Sequence, residues 1–218
     1  MFYFVISLTI LFPLIIGLIK FKNLQPEYLP FFWTLVAGLI TEIISFILIN
    51  RFHYSNAIPT NLFVLAEWTL LVYQFRIWGT LKRNNKGYFL LLIIPTLIWF
   101  AENLVFGKIM TFSPYFRMLY AFLLVLLSIT EINFKITHEN KQLYRSPKFI
   151  LCIGLILFFV YQILYEWAYQ LSLIEEPTRI STIISSLFTY IDAITNIIFG
   201  IAFWVIPTQK NYSFDIEN

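Results

Sequence analysis

Seven long apolar runs constrain this chain more than any other feature of its sequence. A helix that crosses a bilayer needs roughly 20 mainly apolar residues, whereas a membrane β-strand needs only about ten. The sequence therefore predicts an all-α, polytopic membrane protein, a seven-transmembrane-helix bundle that forms one domain over residues 1–218. The predicted helices span residues 2–19, 28–49, 60–78, 87–106, 112–134, 148–173 and 183–206, and Ser113-Pro114 allows a slightly later start for the fifth. Because no basic segment precedes the first run, we expect a retained helix there, not a cleaved signal peptide.

The composition excludes a soluble protein. The chain is 59% apolar and only 12% charged, whereas a soluble domain carries about a quarter charged residues. A water-facing surface cannot be built from so few charges. No linker, charge block or repeat divides the chain.

The basic residues between the runs predict the orientation. Ten of them fall on one side and three on the other, so the first side is predicted to be cytoplasmic. The N-terminus is then outside and the C-terminus inside, in the bacterial cytoplasmic (inner) membrane. The net charge of +3 thus reflects orientation, with membrane lipids as partners and no nucleic acid. The ten are Lys20, Lys22, Lys82, Arg83, Lys86, Lys135, Lys141, Arg145, Lys148 and Lys210, and the three are Arg51, Lys108 and Arg179.

Each of the last six runs carries one carboxylate. A charge at the bilayer centre costs about 2.5 to 3.5 kcal/mol even on a lenient scale, so such residues face the bundle interior or a wet cavity. Because successive helices alternate in direction, five of these acids fall in the outer half of the membrane, together with Arg117. Glu131 lies near the cytoplasmic boundary, where it is predicted to face the headgroups beside Lys135. The five outer acids are Glu42, Glu67, Glu102, Glu166 and Asp192.

Two interpretations of the outer acids stay open. They could line an outward cavity that binds an amine, a hard cation or a polar headgroup, or they could join helices through hydrogen bonds. We favour the cavity, with Glu67, Glu102 and Glu166 foremost and with Arg117 paired to one acid. The predicted ligand-binding residues are Glu67, Glu102, Glu166, Glu42, Asp192, Asn103, Arg117 and Trp68. Other polar and aromatic side chains expected nearby are Gln162, Gln170, Asn196, Tyr165, Trp167, Tyr169 and Tyr190.

Several known membrane chemistries lack their residues here. The seventh run has no lysine for a retinal Schiff base, and His53 and His138, in loops on opposite faces, are too few for a zinc hydrolase. The segment at 175–179, Glu-Glu-Pro-Thr-Arg, has the wrong spacing for a CAAX-type protease and is predicted to be an external turn. Cys152 is expected to be a packed or lipid-facing apolar residue. We predict no catalytic residue and no cofactor, and a metal stays an open question.

A loose set of motifs resembles a known group. Tyr144-Arg145-Ser146-Pro147-Lys148-Phe149, Ile153-Gly154 and the segment from Asn196 to Phe203, with Asn61 and Glu67, resemble short bacterial seven-helix proteins with no assigned activity. Members of that group tend to be encoded beside sensor histidine kinases, so the resemblance implies a seven-helix fold and a signalling context. A second similarity is to small membrane accessory proteins of phage-defence loci, including RNA-targeting CRISPR systems.

The function we expect is that of a non-enzymatic membrane sensor or binding protein. An outward acidic and aromatic cavity would take a small ligand, and the helices would signal to a cytoplasmic or membrane partner. Two alternatives stay open: an oligomeric pore or phage-defence protein, and a lipid-modifying enzyme that uses carboxylates as acid and base. The ligand, the partner and a homo-oligomeric state are not determined by these patterns.

Overall fold

The computed structural model describes residues 6–81, 85–138, 143–174 and 179–207. These residues are about 90% helical and contain no strand. Within them lie seven α-helices: α1 (Leu11–Ile19), α2 (Leu29–Ile47), α3 (Ala57–Trp78), α4 (Asn85–Phe100), α5 (Pro114–His138), α6 (Pro147–Ile174) and α7 (Arg179–Val205). Lys82, Arg83, Lys141, Lys210 and the turn at 175–178, all used above, lie outside the described residues.

Five helical segments are long and apolar enough to cross a membrane. They are Pro26–Phe52, Asn85–Val105, Pro114–His138, Pro147–Ser172 and Arg179–Val205, and the shorter apolar segment Leu8–Ile19 accompanies them. Helix α3 has 22 residues, about 33 Å at 1.5 Å per residue, but it is more polar and is not among the five. Ten of its residues are buried, because its neighbours cover it. The chain is therefore an all-α protein of the multi-pass membrane type.

Six of the helices form a closed ring. Neighbours around it follow the order α1, α7, α6, α5, α3, α2 and back to α1. Helix α4 lies outside this ring, against α3 and α5. Side chains from the ring can therefore meet at its centre, whereas those of α4 cannot.

Long-range polar contacts show which helix termini share an end of the bundle. Lys20, directly after α1, donates hydrogen bonds from Nζ to the carbonyl oxygens of Trp204 (2.5 Å) and Ile206 (3.0 Å) at the end of α7. A cation at the C-terminus of a helix is favourable because the last carbonyls there carry partial negative charge. Glu27, before α2, forms an ion pair of 2.8 Å with Lys148 at the start of α6. We call this end the Lys20 end, and the opposite one, where α3 begins, the Asn56 end.

Aromatic packing closes the ring near the Lys20 end. The ring of Phe31 lies 4.8 Å from that of Phe199 and 5.9 Å from that of Phe203. Phe199 rests directly on Gly154 of α6, where an added Cβ would lie 2.5 Å from the Phe199 ring. Glycine is required at 154 because it lets α6 and α7 approach this closely.

Two expectations about α5 were wrong. The helix begins at Pro114, the later start that Ser113-Pro114 allowed, because proline suits the first helical position. It continues past residue 134 to His138, which is therefore not in a loop. Glu131 does not face the headgroups, because it is only 3% exposed and Lys135 only 6%. Thr80, after α3, donates a hydrogen bond to the Glu131 carboxylate. The longer helix places Glu131 two turns from its end, where the segment after α3 covers it.

Two smaller outcomes concern α7 and Cys152. Helix α7 begins at Arg179 instead of residue 183. Cys152 is fully buried, so of its two expected environments, packed or lipid-facing, the packed one is confirmed.

Candidate functional site

A cavity of about 630 Å³ lies inside the helix ring. Ligand pockets in proteins commonly measure about 300 to 1,000 Å³, so its size suits a small organic molecule. Its lining reaches the Asn56 end at Ile49, Asn50 and Asn56. Toward the Lys20 end it stops at Phe31 and Phe199, whose rings pack together. The cavity is thus open at one end and closed by aromatic side chains at the other.

Three carboxylates line this cavity. Glu42 comes from α2, Glu67 from α3 and Asp192 from α7. Glu67 interacts electrostatically with Asp192, and Asp192 also interacts with Glu42. Among the described lining residues the only basic one is Arg117 of α5. The polar part of the wall therefore carries an excess of acidic groups.

Arg117 is already matched by an acid behind the wall. Its Nε lies 2.8 Å from Oε1 of Glu166 on α6, and the two side chains are 11% and 0% exposed. This is the pairing that the depth of Arg117 predicted, and it joins α5 to α6. Glu166 does not line the cavity. Arg117, which also interacts electrostatically with Glu67, is thus a single basic residue beside four acids: Glu166 and the three lining carboxylates.

Glu67 belongs to a buried network that links three helices. Tyr120 of α5 donates a hydrogen bond to Glu67 Oε2 at 2.9 Å, and Gln162 Nε2 of α6 donates to the Tyr120 hydroxyl at 2.9 Å. Gln162 is 2% exposed and lines the cavity. Its Oε1 has no hydrogen-bond partner among the described residues. A buried acceptor without a donor is uncommon in folded proteins and requires an explanation.

Asp192 belongs to a second group of polar side chains, on the α1 side of the cavity. Asn196 Nδ2, one turn along α7, lies 3.4 Å from Asp192 Oδ2 and 3.2 Å from Thr9 Oγ1. The Ser7 side chain interacts with Glu42. The residues before α1 therefore hold this group in place, whereas α5 and α6 hold the Glu67 group.

Besides Glu166, three of the predicted site residues lie outside the cavity lining. Glu102 follows α4, outside the ring, and its oxygens accept hydrogen bonds from the backbone N–H groups of Tyr115 (3.3 Å) and Phe116 (2.9 Å). It thus caps the N-terminus of α5, where the N–H groups have no helical partner. Asn103 Oδ1 accepts a hydrogen bond from Ser113 Oγ at 2.7 Å. Trp68 is fully buried against Tyr120, with ring centroids 6.4 Å apart, and does not line the cavity.

Some of the other polar and aromatic residues expected near the site line the cavity, and others lie on the bundle surface. Gln162, Asn196 and Tyr165 line the cavity, whereas Trp167 and Tyr190 are about half exposed on the bundle surface, as in an interfacial aromatic belt. The sequence reasoning missed Tyr120, although it lies three residues after Arg117 and so on the same helix face. It also missed much of the aromatic wall, which includes Phe63, Phe158, Phe159 and Phe188.

The site combines carboxylates and aromatic rings. In the part of the chain that the structure describes, no three His, Cys, Asp or Glu side chains are placed to hold a metal ion together. Acidic groups and aromatic faces both attract organic cations. The fold and cavity define an all-α membrane-type protein whose internal pocket is mainly apolar and carries three carboxylates. No protein-family model, no curated protein and no solved structure matches this chain.

Proposed function

We propose that this protein is a non-enzymatic membrane sensor that binds a small organic cation in the cavity and passes its occupancy to a partner. One observation carries the proposal: three lining carboxylates face a cavity whose only basic residue, among those described, is already paired with Glu166. A cationic ligand would supply the missing positive charge, and the aromatic wall would cover its apolar part.

The proposal includes a membrane orientation. The seven apolar runs of the sequence, the first of them (2–19) longer than α1, would all cross the bacterial cytoplasmic membrane, with the N-terminus outside and the C-terminus inside. Lys20 and Lys148 share one end of the bundle, and the excess of basic residues in the loops favours the cytoplasm for that end. The cavity would then open outward, to the periplasmic face. Helix α3 would cross inside the bundle, where contacts with other helices compensate for its polar residues.

A route for the signal runs through α6 and α7. Phe199 lines the cavity on one side and rests on Gly154 of α6 on the other. A ligand that displaces this ring would change how the two helices pack. Arg145 and Lys148, at the start of α6, lie beyond that contact at the Lys20 end. These residues would present the change to a cytoplasmic partner.

The experiment compares an amine with its neutral analogue. Purified full-length protein in detergent is titrated calorimetrically with 1-aminohexane and with 1-hexanol. We expect the amine to bind at least tenfold more tightly, because a charge-assisted hydrogen bond is about twice as strong as a neutral one. Glu67→Gln should remove most of this preference. Glu27→Gln, which removes an acid outside the cavity, is the matched control and should leave it unchanged.

Two results would contradict the proposal. Equal affinity for amine and alcohol would show that the cavity does not select charge. A preference that survives in Glu67→Gln would show that this lining carboxylate does not contribute.

The signalling step is tested separately, by hydrogen exchange of residues 143–150 with and without the amine. Unchanged exchange at saturation would argue for a binding protein without this output.

A further inference from the structure

The lining acids form two groups on different walls of one cavity. Glu67 is held by α5 and α6 through Tyr120 and Gln162. Asp192 and Glu42 are held on the α1 side through Asn196 and Ser7. We propose that the ligand is an organic dication, with one ammonium group at Glu67 and Gln162 and a second at Asp192 and Glu42. This inference rests on the proposed function and specifies its ligand class.

The first anchor has an acceptor that the protein leaves free. Gln162 Oε1 is buried, lies in the lining and has no partner among the described residues, while its Nε2 is fixed on Tyr120. The same Tyr120 hydroxyl donates to Glu67, so both acceptors lie around one hydroxyl group. A primary ammonium has three N–H donors and can reach a carboxylate and an amide oxygen together. A quaternary ammonium would leave Gln162 Oε1 without a donor.

The second anchor offers carboxylates from two helices. Asp192 of α7 and Glu42 of α2 both line the cavity and interact electrostatically, so a cation between them would interact favourably with both. The Asn196 amide already donates to one Asp192 oxygen. The other Asp192 oxygen and the Glu42 carboxylate would accept hydrogen bonds from a second ammonium group.

The charge balance favours two positive charges over one. Three lining acids face the cavity, and Arg117 is matched by Glu166. A monocation could contact only one of the two groups of lining acids, whereas a dication could contact both. Within the described residues no three His, Cys, Asp or Glu side chains converge, so the acids are arranged for separate ammonium groups and not around one ion. The cavity wall also includes the aromatic rings of Phe63, Phe158 and Phe188, so the segment joining the two ammonium groups should be apolar.

The test is a series of α,ω-diaminoalkanes compared with 1-aminoalkanes of equal chain length, titrated into wild-type protein in detergent. We expect the best diamine to bind at least tenfold more tightly than its monoamine, with an optimum chain length set by the distance between the anchors. Its affinity should also fall about twice as steeply with salt concentration. Glu67→Gln and Asp192→Asn should each reduce the diamine to monoamine affinity, whereas Glu27→Gln should leave the ratio unchanged.

The outcomes separate this inference from the proposed function. If monoamines and diamines bind equally at every length, the dication is wrong and an amine sensor still stands. If neither binds, both are wrong. If Asp192→Asn retains the full diamine preference, the second anchor is wrong. The wild-type comparison of chain length and salt dependence decides the question even if the variants fail to fold.

Discussion

Arg117 and Glu166 allow a quantitative test of how the bundle is held together. Their charged atoms lie 2.8 Å apart, and Glu166 is fully buried. At an effective dielectric constant of 20, two unit charges at this distance attract by about 6 kcal/mol, and much of this offsets the cost of removing both groups from water. Among the described residues no hydrogen bond reaches either Glu166 oxygen. The guanidinium is therefore the main compensation for this carboxylate.

Arg117→Leu should destabilise the protein strongly. Removing one partner of a buried pair typically costs about 3 to 5 kcal/mol, because the other charge stays buried without compensation. For a protein of 150 to 250 residues, about 1 kcal/mol lowers Tm by roughly 2 to 4 °C. We therefore expect a loss of about 6 to 20 °C, measured by tryptophan fluorescence during heating in detergent.

The double variant Arg117→Leu/Glu166→Leu isolates the uncompensated charge. Replacing both partners by apolar residues is often neutral or stabilising, so the double variant should melt well above the single one. Lys148→Leu, which breaks the more exposed pair with Glu27, is the control and should cost at most about 1 kcal/mol. Unchanged melting of Arg117→Leu, or a double variant no more stable than the single one, would refute this reasoning.

Three further predictions concern orientation, capping and packing. In a Cys152→Ser background, Tyr54→Cys should react with an impermeant maleimide in intact cells and Arg145→Cys only after permeabilisation; the reverse pattern would invert the topology and the cavity with it. Glu102→Leu should cost about 1 to 3 kcal/mol, because it leaves two N–H groups of α5 without an acceptor, and amine affinity should not change; a loss of affinity without a loss of stability would instead place Glu102 at the site. Gly200→Ala should cost about 1 to 3 kcal/mol by overpacking, since its Cβ would overlap the Phe12 ring; unchanged melting would mean that the ring moves aside.

The helices themselves follow from local sequence. The apolar runs at 148–173 and 28–49, for example, correspond to α6 and α2 with small shifts at their ends. Length and hydropathy are local properties, and a backbone in lipid must satisfy its hydrogen bonds within the helix. The depth of a residue in the membrane also follows from the sequence, because it depends only on the residue's position along its apolar run. That is why Arg117 could be matched with an acid before its partner was known.

The roles of the acids required the tertiary structure. Glu67 and Glu102 look alike in sequence, since each lies in an apolar run in the same half of the membrane. The structure places Glu67 on the cavity wall and Glu102 on the N-terminus of α5, because α4 lies outside the ring. Lipid is as apolar as a packed helix interface. An apolar sequence therefore determines neither the order of helices around a bundle nor which face of each turns inward.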